Sequence, residues 1–156
     1  TALLSALRAG RDSGKSIAFD PNLRPRLWED TDTMLRATMA SAEVSDVVLP
    51  SFEDEATWFN DADPMATAQR YLDAGAITVV VKNGAEAIFH CSPAGEGTVS
   101  VPPIATVIDT TAAGDSFNAA IFSGLNAQEP LAQSIETACR LSGAVVQARG
   151  ALVAVD

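Results

Sequence analysis

A chain of 156 residues, 47% hydrophobic and 19% charged, holds enough apolar material for a core, which excludes a disordered or fibrous chain. Twenty Asp and Glu against ten Lys and Arg give a net charge of −10. Such a surface repels a nucleic-acid backbone, yet leaves room for a small anion held by a few local donors.

No run of about 18 apolar residues is present, so no membrane-spanning helix is expected. Cys91 and Cys139 lie far apart without CxxC spacing, which suits reduced thiols in a cytoplasmic protein rather than a disulfide scaffold or a zinc cluster. The opening Thr1-Ala-Leu-Leu-Ser-Ala-Leu7 lacks the basic start of a signal peptide. It also lacks an initiator Met and begins inside a helical pattern, so the chain is expected to be a piece of something longer.

Leu3, Leu4 and Leu7 recur at helical spacing, with Gly10 as a stop. Ser16–Asp20 reads as a buried strand closed by Pro21. The spacing of Met34, Leu35, Thr38 and Met39 predicts a helix over Thr31–Ala42. Asp46–Pro50 is a second buried strand, and Ser51 opens an acidic helix through Trp58 and Phe59. Asp63 caps a helix that Pro64 starts and Gly75 stops. Ile77–Lys82, largely β-branched, is the strongest strand signal, and Asn83-Gly84 predicts a turn into a hairpin partner at Ala87–Cys91. A loop over Ser92–Gly97 and a short strand over Thr98–Val101 follow. After a turn at Asp109–Asp115, one helix runs to about Leu125 and a last one over Leu131–Ala148. Continuous apolar strands alternating with helices predict an α/β sandwich with a largely parallel sheet, forming one domain or part of one.

Ala9–Ser16 looks like a relaxed phosphate-binding loop, Gly14-Lys15-Ser16 included. That motif needs a strand entering and a helix leaving, so that helix amides face phosphate. Here the helix comes first and the strand last, so the segment reads as a helix end with solvated charges.

The informative turn is Asp109-Thr-Thr-Ala-Ala-Gly114-Asp115-Ser-Phe-Asn118. Small residues at 112, 113 and 114 leave the backbone uncovered where a helix begins. First-turn amides have no intrahelical partner and sit at the positive end of the helix dipole, which makes an anion hole. Asp115 beside them suits a base acting on a sugar hydroxyl. An ordinary capped helix starts the same way, and spacing alone leaves both readings open.

The same ten residues resemble the D-T-x-[GA]-A-G-D signature of the ribokinase-like (PfkB-type) carbohydrate kinases, and the resemblance extends over nearly the whole chain. It implies a ribokinase-like three-layer α/β sandwich, here without its N-terminal half and lid, with residues 1–156 the C-terminal part of a single kinase domain. It implies that Asp115 is the catalytic base, touching substrate as well, and that Ala112, Ala113 and Gly114 join it in an anion hole that also meets the nucleotide. Asp109 and Thr111 match positions that hold a monovalent cation, such as K+, in some members.

Within the family, Phe19-Asp-Pro-Asn-Leu-Arg24-Pro-Arg-Leu-Trp28, Val48–Thr57 and Gln147-Ala-Arg-Gly150 resemble the branch that phosphorylates 2-dehydro-3-deoxygluconate. Such a sugar acid carries a carboxylate, which the planar fork of Arg24 suits; an ordinary ion-paired surface arginine is the other reading. Ser51 and Asp54 stand where many members have N-x-x-E beside the metal and phosphates. Asp54 would order water around Mg2+, although a helix cap by Ser51 with Asp54 as its acid explains the same residues. Lys82, Asn83, Gly84, Ala85 and Glu86 resemble the loop that borders the nucleotide, with Ala87 replacing its later glycine; a plain hairpin turn is the alternative. Cys139 falls near the adenine position, where core packing is the competing reading, and His90 reads as structural.

The resemblance thus implies ATP-dependent phosphorylation of a small sugar acid with Mg2+, in a cytoplasmic protein that is a homo-oligomer at full length and has no nucleic-acid or membrane partner. Two alternatives stay open: a fructokinase or ribokinase, and a non-catalytic nucleotide-binding or dimer-forming fragment.

Overall fold

The computed structural model describes residues 2–154. Its strands are β1 (Ala18–Phe19), β2 (Val47–Val48), β3 (Thr78–Val81), β4 (Ile88–Ser92) and β5 (Gly95–Val99). Its α-helices are α1 (Ala2–Asp12), α2 (Thr31–Ala42), α3 (Phe52–Trp58), α4 (Pro64–Ala74), α5 (Ala113–Asn126) and α6 (Leu131–Val145), with one 3-10 turn at Pro25–Leu27. The chain divides into two compact units, one holding the residues up to Gly84 with Phe89–Gly97, the other Ala85–Ile88 with the residues from Thr98 onward.

The sheet dominates the first unit, in the order β1-β2-β3-β4-β5. β1 and β2 run parallel with Ala18 opposite Val47, and β2 and β3 run parallel with Val47 opposite Thr78. Each parallel step needs a long crossover, which α2 provides first and α3 with α4 second. β4 then pairs antiparallel with β3, Val81 opposite Phe89, so the sheet is mixed beyond its parallel half. Val48, Val79, Val81, Ala42, Ala68 and Tyr71 form the core of this unit, with Phe19, Met39, Phe52 and Phe89 packed against it. Residue by residue, Val79, Val80 and Val81 are all fully buried, as the β-branched run leads one to expect.

Caps explain the helix bounds. Asp30 accepts from the Thr33 amide at 2.6 Å to open α2, and Asp63 accepts from the Ala66 amide at 2.8 Å to open α4. Gly75 ends α4 in the left-handed region at φ 116°.

β4 is the antiparallel partner expected of β3, and three element bounds, those of β5, α1 and α6, are corrected. The connection between β3 and β4 is longer than Asn83-Gly84 alone: β3 stops at Val81 and β4 starts at Ile88, leaving Lys82–Ala87 between them. Within it Lys82 forms a parallel bridge with Ser51, in which the Lys82 amide donates to Pro50 O and the Phe52 amide to Lys82 O, each at 2.8 Å. β5 starts at Gly95 rather than Thr98, because Pro93-Ala94 turns tightly with Ser92 Oγ accepting from the Ala94 amide at 3.2 Å. α1 runs past Gly10 to Asp12, and α6 stops at Val145 before a turn.

In the second unit α5 and α6 lie against each other. Phe117, Ile121, Ile135, Ala138 and Cys139 are buried, and Gly124 faces Ser134 so closely that a Cβ there would lie 2.7 Å from the serine Cβ. No helix of the described residues is long and apolar enough to cross a membrane.

Candidate active site

In the first unit the expected site residues gather beyond the carboxyl ends of β1, β2 and β3, where open α/β sheets bind ligands. Asp20 follows β1. Its Oδ1 accepts from the Asn22 amide at 3.1 Å, and its Oδ2 accepts from Lys82 Nζ at 2.8 Å. Arg24, exposed in the same loop, donates from Nη1 to Leu23 O at 3.0 Å. Ser51 precedes α3 and makes no side-chain cap, so the capping reading of that residue finds no hydrogen bond. Asp54 lies in the first turn of α3, half-buried. Burial pushes its carboxyl above the usual range, and Glu53 and Asp20 add to that; Arg24 and Lys82 pull it back. The electrostatics therefore join Asp20, Arg24, Asp54 and Lys82 in one charged cluster. Asn83 and Gly84 follow Lys82, with Gly84 at φ 58° and open space where a Cβ would stand.

A second cluster, which the sequence reading missed, is built from α3, α4 and the segment between them. Glu55 is fully buried and accepts from Arg70 Nη2 at 2.6 Å and from the Tyr71 hydroxyl at 3.0 Å. Arg70 also donates from Nη2 to Asp61 Oδ2 at 2.7 Å and lies 3.7 Å from the centre of the Phe59 ring. Two carboxylates thus share one guanidinium. Burial outweighs that shared charge and pushes Glu55 up to about 7. The only sequence signal was an acidic residue in a run that reads as a solvated face.

In the second unit, Ala112 takes up the left-handed conformation at φ 61° and caps α5 without a side-chain bond. The Ala113 amide donates to Thr110 O at 3.1 Å, and the Ser116 amide to Ala112 O at 2.9 Å. The first-turn amides beyond Ala113, those of Gly114 and Asp115, have no residue four back in the helix to accept from them. Gly114 and Asp115 are exposed. Asp109 and Thr111 come together: Asp109 Oδ1 accepts from the Thr111 amide at 2.9 Å and from its hydroxyl at 2.7 Å. Ala85 and Glu86 are exposed in the connection after Gly84. Cys139 is buried in α6, and burial pushes its thiol up. His90 sits on β4 with its Nδ1 buried and unpartnered among the described residues.

Among the described residues no three His, Cys, Asp or Glu side chains converge as a metal site. A single carboxylate such as Asp54 suits a cation that keeps most of its own waters.

Parallel strands with charged groups at their carboxyl ends, and a small-residue turn opening a helix, define an α/β protein of the ribokinase-like class. The chain belongs to the pfkB family of carbohydrate kinases, whose model matches residues 1–156. It is 37% identical to a 2-dehydro-3-deoxygluconokinase of Escherichia coli, over 97% of this chain and 50% of that protein. The crystal structure of a PfkB protein from Polaromonas sp. JS666 superposes with a TM-score of 0.85 at 32% identity, covering 94% of this chain and 47% of the other. The aminoimidazole riboside kinase of Salmonella enterica, complexed with aminoimidazole riboside and an ATP analog, gives a TM-score of 0.85 at 26% identity, over 96% and 52% of the two chains. The chain spans about half the length of the curated relatives it matches.

Proposed function

We propose that residues 1–156 are the C-terminal part of a single ribokinase-like kinase domain, and that the whole protein phosphorylates 2-dehydro-3-deoxy-D-gluconate with ATP. The observation that carries this reading is the α5 start, with Ala112 left-handed and Asp115 in the first turn, in a chain 37% identical to a 2-dehydro-3-deoxygluconokinase.

Asp115 takes the proton of the substrate's primary hydroxyl as its oxygen attacks the γ-phosphorus. The bond from that phosphorus to the β,γ-bridging oxygen breaks, and ADP leaves. Transfer of this kind needs positioning and charge stabilisation more than covalent help. The Gly114 and Asp115 amides and the α5 dipole supply it, with Ala112 and Ala113 keeping the turn uncovered. Arg24 binds the substrate carboxylate. Lys82, Asn83, Gly84, Ala85 and Glu86 border the nucleotide, with Ser51 and Cys139 at its margins. Mg2+ would neutralise phosphate charge, and Asp54 would hold it through water. The whole protein acts in the cytoplasm as a homo-oligomer.

ADP release by the full-length protein, compared across 2-dehydro-3-deoxygluconate, fructose and ribose, tests the reading. Preference for the acid, lost in Arg24→Gln, supports it. Preference for a neutral sugar keeps the kinase and moves the substrate, and no release with any of the three removes the activity.

A further inference from the structure

We infer that Arg70 is a positioning residue: by joining Glu55 to Asp61 it fixes the roll of α3 about its own axis, and so holds Asp54 at the strand ends in the cluster with Asp20, Arg24 and Lys82. This rests on the proposed role of Asp54 towards Mg2+.

α3 is too short to hold itself in place. It has seven residues and no side-chain cap from Ser51, whereas an isolated helix is marginal in water below roughly 12–15 residues. The Phe52 amide, donating to Lys82 O at 2.8 Å, fixes where the helix begins. Its roll is set by what its side chains meet. Neighbouring residues of a helix lie about 100° apart around the axis, so Asp54 and Glu55 cannot both face the core. Glu55 takes the buried side, where it accepts from Arg70 Nη2 at 2.6 Å and from the Tyr71 hydroxyl at 3.0 Å, both on α4. Asp54 is thereby turned to a half-buried place, within the electrostatic reach of Arg24, Asp20 and Lys82.

Arg70 is itself held from several sides. Its Nη2 and Nε donate to the two oxygens of Asp61, at 2.7 and 3.2 Å, and Asp61 accepts in turn from the Thr67 hydroxyl at 2.8 Å. Its Nη1 meets the Met39 sulfur of α2 at 3.1 Å, and the guanidinium carbon lies 3.7 Å from the centre of the Phe59 ring. A planar guanidinium offers its donors in fixed directions, so it sets the orientation of the groups it joins as well as their distance. Stability alone asks for no such group, since well-packed apolar side chains commonly replace a buried ion pair without loss. Orientation is what the fork adds, and the side chain it orients is one residue away from Asp54.

Hydrogen exchange and Mg2+-dependent kinetics on the full-length protein test this together. In Arg70→Met, exchange rises about tenfold or more over 52–59 while 78–81 stays protected. The free Mg2+ that gives half the maximal rate rises about tenfold, the KM for 2-dehydro-3-deoxygluconate moves by less than about threefold, and added Mg2+ restores most of the kcat. In an Asp54→Asn background, Arg70→Met raises the Mg2+ requirement no further, because the carboxylate it positions is gone. Arg70→Lys keeps the charge without the fork and moves both readouts the same way by less; it carries the test should Arg70→Met not fold. Unaltered exchange at 52–59 in the folded variants overturns the proposal. So does a loss of kcat that added Mg2+ leaves in place, or a Mg2+ shift of the same size in the Asp54→Asn background. If the wild type phosphorylates no sugar, or Asp54→Asn by itself leaves the Mg2+ requirement unchanged, the proposed function or its metal site falls, while the exchange data still decide whether Arg70 holds α3.

Discussion

Lys82 Nζ lies 2.8 Å from Asp20 Oδ2, joining residues 62 apart in sequence at the ends of β1 and β3. The two side chains retain only 13% and 23% of their exposure, so the pair is shielded from most solvent screening. Lys82→Met leaves Asp20 as a half-buried carboxylate short of its cation and is expected to cost about 1–3 kcal/mol in urea unfolding. The double variant Asp20→Asn/Lys82→Met should cost less than the sum of the singles. Strict additivity would show that the pair is not coupled.

Glu55 makes stability depend on pH in a direction opposite to most carboxylates. Its folded-state value is raised from 4.5 to about 7, so the folded state binds the proton first. Stability is therefore gained as the pH falls from about 7 towards 4.5, and lost as it rises through about 7. Thermal or urea unfolding of Glu55→Gln, compared with wild type, isolates this group. The wild type should gain about 2–3 kcal/mol relative to the variant between pH 8 and pH 4.5. Parallel curves for the two proteins would place the Glu55 titration elsewhere.

Gly124 lets α5 and α6 approach. A methyl group there would collide with Ser134 Oγ and lie 2.7 Å from its Cβ, inside van der Waals contact. Alanine is the better helix former by about 1 kcal/mol, yet overpacking at such a contact costs about 1–3 kcal/mol. Gly124→Ala is accordingly expected to lower the melting temperature, and adding Ser134→Gly should recover part of the loss. A Gly124→Ala protein at least as stable as wild type would mean the helices separate freely.

Asp115→Asn keeps the size of the side chain and removes its basicity. The expected outcome is a fall in kcat of about two to four orders of magnitude, with the melting temperature unchanged. Most of the turnover surviving in a folded variant would remove Asp115 from the role of base.

What was legible in the sequence is local. Asp30, Asp63, Pro64 and Gly75 mark helix ends because a cap is an interaction between residues three or four apart, and the structure has them in those roles. The α5 turn is legible for the same reason, since small residues followed by an acid declare an uncovered helix start. Buried runs at 16–20 and 46–50 signal strands, but the structure keeps only Ala18–Phe19 and Val47–Val48 in the ladder. Strand length depends on partners, and those come from other parts of the chain.

The charged cluster lay beyond sequence reasoning because its members meet only through folding. Lys82 reaches Asp20 because β1 and β3 flank β2, and Arg70 reaches Glu55 because α4 packs on α3. Gly150 finds Asp109 once α6 has brought the chain back beside α5. The sequence by itself determined the class of elements and where α5 begins, since both rest on short-range propensity. Tertiary structure decided which charges pair, which glycine is crowded and which remote amide meets Asp109, because each depends on a distance set by the packing of remote segments.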